Sequence, residues 1–220
     1  LNFLKNYFFK FYLQMHTLLK KNLNSEEFLK IKINWLIKKQ RIKDLERLLK
    51  NNPAVGKSSK AIKFLINEYL SSADIKSACD KIDFIDKNVQ STYLDKFMIY
   101  CLINNDRKEE AQLIFDLLKE RGFKDKFFED KINFLLGVEN KTTQKILDNN
   151  LLNFYFSHIT ADKFQYEPSD KTSKYIWRYL SSANLVQIHN FENEDIILTY
   201  EQAAAQNSFE NVEIFKIYLK

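Results

Sequence analysis

The chain has 220 residues, of which only 3 are Gly and 2 are Pro. Average usage in a chain of this length would give about 15 Gly and about 11 Pro. Because hairpins, phosphate-binding loops and linkers depend on these residues, the composition excludes glycine-rich nucleotide-binding folds. A hydrophobic content of 45% and an aromatic content of 15% exclude a disordered chain. We therefore expect an all-α fold.

The net charge of +5 is distributed unevenly along the chain. Residues 1–63 hold 15 Lys or Arg and 4 Asp or Glu, a net charge of +11, whereas residues 64–220 carry a net charge of −6. A basic first third favours nucleic acid, anionic lipid or an acidic protein as a partner. Compositional drift explains the same bias without a ligand and is preferred, because most of the 34 basic residues are Lys, whose codons, like those of Asn, Ile and Phe, are AT-rich.

The first 23 residues are rich in Phe, Tyr and Leu, but Lys5, Lys10, Lys20 and Lys21 interrupt them. They lack the continuous apolar core of a signal peptide and the run of about 20 apolar residues that spans a bilayer. We therefore expect a soluble protein. Because the chain begins at Leu1 without Met, we expect a fragment or a processed product. The cytoplasm is favoured, and the periplasm is the alternative if a signal peptide precedes Leu1.

A repeat is visible in the first 150 residues. Four isoleucines recur at intervals of 33, namely Ile33, Ile66, Ile99 and Ile132. The apolar segment around each one ends in a short polar or small stretch: Lys38–Gln40, Ser71–Ala73, Asn104–Asp106 and Gly137–Asn140. A second apolar stripe follows each stretch: Ile42, Leu45 and Leu49; Ile75, Ala78 and Ile82; Ala111, Ile114 and Phe115; Ile146 and Leu147. These spacings of three and four predict helices that bury one face.

The predicted unit is a helix, a tight turn and an antiparallel helix. One such hairpin cannot bury both of its faces, so stacked neighbours must complete the core. We predict that residues 1–150 form a right-handed superhelix (an α-solenoid) of antiparallel hairpins with a period of about 33 residues. The alternative is a non-repetitive helical bundle. Residues 151–220 are expected to continue as helices, either within the same superhelix or as a C-terminal helical subdomain.

The C-terminal region carries its own helix boundaries. Residues Tyr166–Lys171 are the predicted loop, and Asp170 or Thr172 is expected to cap the helix that follows. The stretch Tyr179–Ala183 repeats the sequence of Tyr69–Ala73 and predicts another junction between a helix and a turn. Two further helices are predicted, from Asn193 to Gln206 and from Asn207 to the end of the chain.

The segment Asn104–Phe115 resembles the turn and second helix of tetratricopeptide and pentatricopeptide repeats. Ala111 stands at the small packing position of those families, and Phe115 stands at the aromatic position. Asp95 and Ile99 depart from the aromatic and glycine positions of the first helix. The resemblance covers about residues 30–150. Residues 153–158, 175–180 and 201–205 resemble uncharacterised helical-repeat proteins of alphaproteobacteria, which implies no catalytic residues.

No motif predicts catalysis, so we expect no enzymatic activity, no cofactor and no metal site. Gly56–Ser58 matches the end of a P-loop, but Asn51 stands where the motif requires Gly, and a helix precedes it instead of a strand. The histidines His16, His158 and His189 are too far apart to predict a metal site. His158 is expected to be a partly buried structural residue.

Cys79 and Cys101 are the two cysteines of the chain. They are expected on consecutive helices, so a disulfide is geometrically feasible in an oxidising compartment. Two buried free thiols are nevertheless the simpler expectation.

These observations favour a non-enzymatic scaffold that binds a protein or peptide partner. Stacked hairpins present their first helices on the inner face, so the candidate contact residues are exposed polar side chains of those helices: Asn34, Asn67 and Tyr100. The alternative is a single-stranded RNA-binding repeat protein. Its candidate residues are basic and lie in the first third: Lys30, Lys32, Lys38, Lys39, Arg41 and Lys43. RNA binding would weaken steeply with salt.

Overall fold

The computed structural model describes residues 24–169, 171–185 and 194–205. All regular secondary structure in these residues is helical, so the prediction of an all-α fold is confirmed. Within the same residues, no helix is long and apolar enough to cross a membrane. The aromatic-rich segment of residues 1–23 and the helix predicted from Asn207 lie outside the described residues.

Ten α-helices follow one another in the described residues. They are α1 (Ser25–Lys38), α2 (Ile42–Asn51), α3 (Ser59–Ser71), α4 (Ile75–Cys79), α5 (Thr92–Asn104), α6 (Lys108–Glu120), α7 (Lys126–Leu136), α8 (Leu151–Ile159), α9 (Lys174–Ser182) and α10 (Glu194–Ala205). Short 3-10 helices occupy Pro53–Lys57 and Ile82–Phe84. The chain forms two compact units, the first ending at Val55 and the second beginning at Gly56. A division near residue 150 stays a prediction.

The first unit contains the α1–α2 hairpin. Helix α1 begins with a capping box, in which the Asn24 side chain accepts from the Glu27 amide at 2.8 Å and the Glu27 carboxylate accepts from the Asn24 amide at 3.1 Å. The buried side chains of the two helices are Ile33, Leu36, Leu45 and Leu49, all from the predicted apolar stripes. At the start of α2, Arg41 and Asp44 form an ion pair.

Helices α1, α3 and α5 end in turns with the same backbone geometry, which α9 shares at Asn184 with φ of 54°. In α1, α3 and α5 the left-handed residue of the turn is Gln40, Ala73 and Asp106, with φ of 51°, 57° and 56°. In the second turn the Asp74 amide donates to the Tyr69 carbonyl at 3.0 Å, and the other two turns are closed by the equivalent bond. Such a bond satisfies a carbonyl at the end of a helix. The predicted ends of these helices are therefore confirmed.

Helix α4 has only five residues and is tied to α5 by a disulfide between Cys79 and Cys101. The expectation of two free thiols is wrong. The fully buried Ala78 keeps the side chain beside the cysteine small, and the Cα atoms of the two cysteines lie 5.5 Å apart. The second helix predicted to run through Ile82 stops at Cys79, and a 3-10 turn follows it.

Helix α3 lies at the centre of the second unit. Eight of its 13 residues are buried, and it packs against α4, α5, α8 and α9. Helix α9 begins more than 100 residues after α3 ends. In an open solenoid each repeat contacts only its neighbours. The contact between α3 and α9 is therefore a long-range closure that a simple stack of hairpins lacks.

Aromatic rings fill the space between α5, α6, α7 and α8. The ring of Phe128 packs on Phe115 at 5.8 Å and on Phe156 at 5.6 Å between centroids. The largest fully buried aromatic side chains are Phe97, Phe115, Phe128, Phe154 and Phe156. Burying one such side chain contributes about 1.5–3 kcal/mol, so this cluster is a principal source of stability for the second unit.

Residues 138–150 contain no helix, so the second helix predicted around Ile146 and Leu147 is wrong. Gly137, with φ of 83°, ends α7 in the left-handed conformation. The chain then runs without regular structure, and the Leu147 amide donates to the Ser157 hydroxyl at 3.0 Å. The Ser157 side chain of α8 therefore accepts the hydrogen bond from a backbone amide that would have been paired within a helix.

The cap of α9 differs from the prediction. Ser173 caps this helix by accepting from the Ile176 amide at 3.4 Å. Thr172 instead accepts from the Ser169 amide at 2.9 Å and stabilises the preceding loop. Asp170, the other predicted cap, lies outside the described residues. The predicted loop is confirmed for its described residues.

Candidate interaction surfaces

Two of the three predicted contact residues, Asn67 and Tyr100, lie in the second unit, and neither is exposed. Tyr100 is buried, and its hydroxyl pairs with that of Tyr155. Asn67 is half-buried, and its side-chain carbonyl accepts from the Tyr93 hydroxyl. The exposure expected for Tyr100 is therefore wrong, because the packing of α8 on α5 covers it. Asn34 is exposed on α1 in the first unit.

Buried hydroxyl and imidazole groups connect α5, α8 and α9. The Tyr100 and Tyr155 rings meet edge to face at 5.2 Å, and the Tyr155 and Tyr179 rings meet at 5.6 Å. The Nδ1 atom of His158 lies 2.7 Å from the Tyr179 hydroxyl. Burial raises the pKa of Tyr155 and Tyr179 and lowers the pKa of His158. All three groups are therefore held neutral, and His158 is partly buried as predicted.

A buried carboxylate joins α3 to α9. Glu68 has a side chain only 3% exposed, and its Oε2 accepts from Arg178 Nη1 at 2.7 Å. Its Oε1 accepts from the Tyr175 hydroxyl at 3.0 Å. Burial and the neighbouring carboxylate raise the pKa of Tyr175. Both oxygens of Glu68 are satisfied within the fold. The carboxylate therefore stabilises the packing of α9 on α3, and neither of its oxygens is left to bind an external ligand.

Three lysines are buried in the second unit: Lys81, whose Nζ lies 4.8 Å from the centroid of the Tyr69 ring, and Lys96 and Lys131, which are likewise satisfied internally. Lys131 is fully buried and donates from Nζ to the Thr143 carbonyl at 2.5 Å. Burial lowers the pKa of Lys131, and Asp130 opposes that effect. Lys96 forms an ion pair with Asp125, the cap of α7. Neither amine is positioned to react with a molecule from solvent.

A shallow cleft of about 330 Å³ lies beside the start of α3. Its lining residues are Lys57, Ser59, Asp86, Asn88, Val89 and Gln90. The Asp86 amide donates to the Gly56 carbonyl at 3.2 Å, and a Cβ atom at Gly56 would lie 2.1 Å from the Phe84 carbonyl oxygen. Gly56 is therefore required for close backbone approach. The described residues contain no group of three metal-ligating side chains, here or elsewhere.

The six basic residues predicted to contact RNA divide into two sets. The exposed ones are Lys30, Lys38, Lys39 and Lys43. Arg41 is half-buried and paired with Asp44. Lys32 is half-buried, and burial lowers its pKa. The exposed set can contact an anionic ligand, whereas Arg41 is already engaged in the fold.

Helix α6 presents a surface that the sequence reasoning missed. Its inner face buries Ala111, Phe115 and Leu118. On its outer face Leu113 is 60% exposed and Leu117 is 41% exposed. Four exposed carboxylates surround these leucines: Glu109, Glu110, Asp116 and Glu120. We call these six residues the α6 face.

A sequence signal for the α6 face exists. The spacing of Leu113 and Leu117 is four residues, so they lie one turn apart on the same side of a helix. They fall outside the stripe that contains Ala111 and Phe115. A second apolar stripe on one helix, bordered by acidic residues, predicts that the helix has two apolar faces, one packed in the core and one exposed.

Four basic residues lie on or beside α6, namely Arg107, Lys108, Lys119 and Arg121, and three of them interact with carboxylates of the protein itself. Arg107 donates to Glu110 through Nε at 2.7 Å and through Nη2 at 2.5 Å, and this contact lowers the pKa of Glu110. Lys119 is directed elsewhere, because its Nζ pairs with Glu129 of α7 at 2.8 Å. The face is therefore apolar at its centre and anionic at its border.

The comparisons with known proteins supply no relative on which a function could be based. No family model matches the chain, and no curated protein or solved structure is significantly similar to it. The function is therefore inferred from the surfaces of this chain.

Proposed function

We propose that the protein is a non-enzymatic helical-repeat scaffold that binds a protein or peptide partner. The observation that carries the proposal is the exposure of Leu113 and Leu117 at the centre of one face of α6. A single exposed leucine is ordinary. Two leucines one turn apart form the kind of anchor that packs against an amphipathic partner.

The repeat architecture is part of this proposal. The hairpins α1–α2, α3–α4 and α5–α6 are successive repeats with a period of about 33 residues. Support comes from their left-handed turn residues Gln40, Ala73 and Asp106, which are 33 residues apart. Because α9 packs on α3, the partner is expected on a second helix of a hairpin and not on the first helices. This changes the expected location of the site.

The non-enzymatic part of the proposal is supported by where the chemically distinctive groups lie. His158, Tyr155 and Lys131 each have a pKa shifted by burial. A shifted pKa in a cleft is a sign of catalysis, but each of these groups hydrogen-bonds a neighbour inside the packed helices. They stabilise the fold.

The test compares proteins captured by the wild-type chain with those captured by two variants. The first carries Leu113→Ser and Leu117→Ser, and we call it the double serine variant. The control is Val138→Ser, since Val138 is 67% exposed and lies outside the α6 face. A protein retained by the wild type and the control but lost by the double serine variant supports the proposal. An identical set of captured proteins for all three chains would contradict it.

RNA binding is the second candidate function, and the exposed lysines Lys30, Lys38, Lys39 and Lys43 support it. Fluorescence anisotropy with a labelled single-stranded oligouridylate at low salt tests it. The expected result is binding that weakens steeply with ionic strength, because counterions are released from the RNA, and that is lost in the variant Lys38→Glu with Lys39→Glu. Absence of binding at low salt would eliminate this candidate.

A further inference from the structure

The α6 face also indicates what kind of partner it fits. We propose that its occupant is a cationic amphipathic helix, with apolar side chains one turn apart and Lys or Arg on both borders of that stripe. This inference rests on the proposed function, because it names the partner of the same surface.

The first argument is geometric. At 3.6 residues per turn, Leu113 and Leu117 lie about 40° apart around the helix axis, with Glu109 and Glu120 close to the same line. Glu110 and Asp116 lie on either side of that line. Carboxylates therefore border Leu113 on three sides and Leu117 at Glu120, whereas Arg121, one turn after Leu117, interacts with Asp95. A partner that covers the leucines necessarily brings its own border residues beside these acidic groups.

The second argument concerns charge. Four carboxylates surround the leucines, whereas the basic side chain seen to pair with this border is Arg107, on Glu110. Complementary charge at the border of an interface accelerates association and disfavours partners of the same sign. Lys and Arg also suit this position because their aliphatic stems can cover a leucine while the charged end reaches a carboxylate. Nucleic acid and anionic membranes are repelled by the same border.

The third argument concerns the shape of the partner. Side chains four residues apart on a helix form ridges that pack into the grooves of a second helix. The described residues contain no strand and so offer no sheet edge to which an extended peptide could add. A helix with apolar residues at the same spacing is therefore the matching occupant.

A synthetic peptide provides the test. The probe is a fluorescein-labelled helical peptide with Leu at positions i, i+4, i+7 and i+11 and Lys on both borders, titrated against the full chain by anisotropy. The double serine variant is expected to bind at least about tenfold more weakly than the wild type, a change of about 1.4 kcal/mol. Val138→Ser is expected to bind like the wild type. A matched peptide with Glu in place of Lys is expected not to bind.

A charge variant separates the contribution of the carboxylates from that of the two leucines. Glu109→Lys together with Glu120→Lys is expected to weaken binding and to reduce its dependence on salt. Circular dichroism confirms that each variant retains its helix content. Equal affinity for the wild type and the double serine variant would overturn the inference, as would no binding of the Lys peptide to the wild type.

The outcomes also distinguish this inference from the proposed function. If the double serine variant loses a captured protein but the Lys peptide does not bind, the cationic partner is wrong and the scaffold stands. If sedimentation shows self-association that the double serine variant abolishes, the occupant is a second copy of this chain, and the inference is overturned. If no protein, peptide or second copy depends on the leucines, both proposals are wrong.

Discussion

Arg178 in α9 donates to Glu68 in α3 at 2.7 Å, although the two residues are 110 positions apart in the sequence. Tyr175 donates to the other oxygen of the same carboxylate. This contact holds α9 on the central helix of the second unit. Together with the packing of Tyr155 of α8 on Tyr100 of α5, it covers the first helices α3 and α5 of this unit with other helices of the protein.

The contact between Glu68 and Arg178 should matter for stability. Arg178→Leu leaves a buried carboxylate with Tyr175 as its remaining partner, so we expect the free energy of unfolding to fall by about 2 kcal/mol. This is below the range of about 3–5 kcal/mol for a fully buried pair, because the Arg178 side chain is 30% exposed. Urea denaturation measures the change, and the double variant Glu68→Gln with Arg178→Leu should recover part of it.

The exposed pair between Arg107 and Glu110 is the control for that experiment. Both side chains are 55% exposed, so Arg107→Ala should leave the urea midpoint unchanged within error, since exposed ion pairs contribute little. If Arg178→Leu changed the midpoint as little as Arg107→Ala does, α9 would not be fixed on α3 as described.

The disulfide between Cys79 and Cys101 should make stability depend on reductant. Closing a loop between residues 22 positions apart stabilises a protein by about 3 kcal/mol in the chain-entropy account. We expect a reductant to lower the free energy of unfolding of the oxidised wild type by that amount. The variant Cys79→Ala with Cys101→Ala should show no response to reductant. Two reactive thiols in denatured, air-oxidised protein would show that the pair does not form.

Two alanines in identical sequences offer a test of backbone strain. Ala73 ends the sequence of residues 69–73 with φ of 57°, whereas Ala183 ends the same sequence at 179–183 with φ of −90°. The left-handed conformation costs a non-glycine residue about 1–2 kcal/mol. Ala73→Gly should therefore raise the urea midpoint, and Ala183→Gly should lower it, because glycine there adds only entropy to the unfolded chain. Shifts in the same direction would contradict the turn geometry.

His158 should make stability depend on pH. Burial holds its pKa below the ordinary value, so the folded state favours the neutral imidazole and the unfolded state binds the proton more readily. Stability should therefore fall as the pH decreases below about 6.5. His158→Asn should flatten the dependence of the urea midpoint on pH between about 7 and 5. An unchanged slope would show that His158 titrates with its ordinary pKa in the fold.

The helix content and most helix ends followed from the sequence because they depend on local signals. The turns at Gln40, Ala73 and Asp106 stand where the apolar periodicity stops. The missing helix around Leu147 shows the limit of that reasoning. Two apolar residues in a polar stretch fit a short stripe, but Gly137 ends α7 and the Leu147 amide is satisfied by Ser157 across space.

The exposure of individual side chains was harder to predict from the sequence, because periodicity shows which side of a helix is apolar but not which neighbour covers it. Tyr100 was expected to be exposed, yet α8 packs over it through Tyr155. Leu113 has the opposite behaviour, since it is apolar and yet remains exposed. Both outcomes depend on packing between helices far apart in the sequence, for which a single sequence carries little information.

The most direct test of the proposed site replaces Leu113 with the photoreactive residue p-benzoylphenylalanine in the full chain. A control chain carries the same residue at Val138, which is exposed outside the α6 face. After irradiation in the cells that produce the protein, mass spectrometry identifies the cross-linked species. We predict an adduct with another protein from position 113 and none from position 138. Absence of an adduct at position 113, or the same adducts from both positions, would contradict the assignment of the α6 face as the partner site.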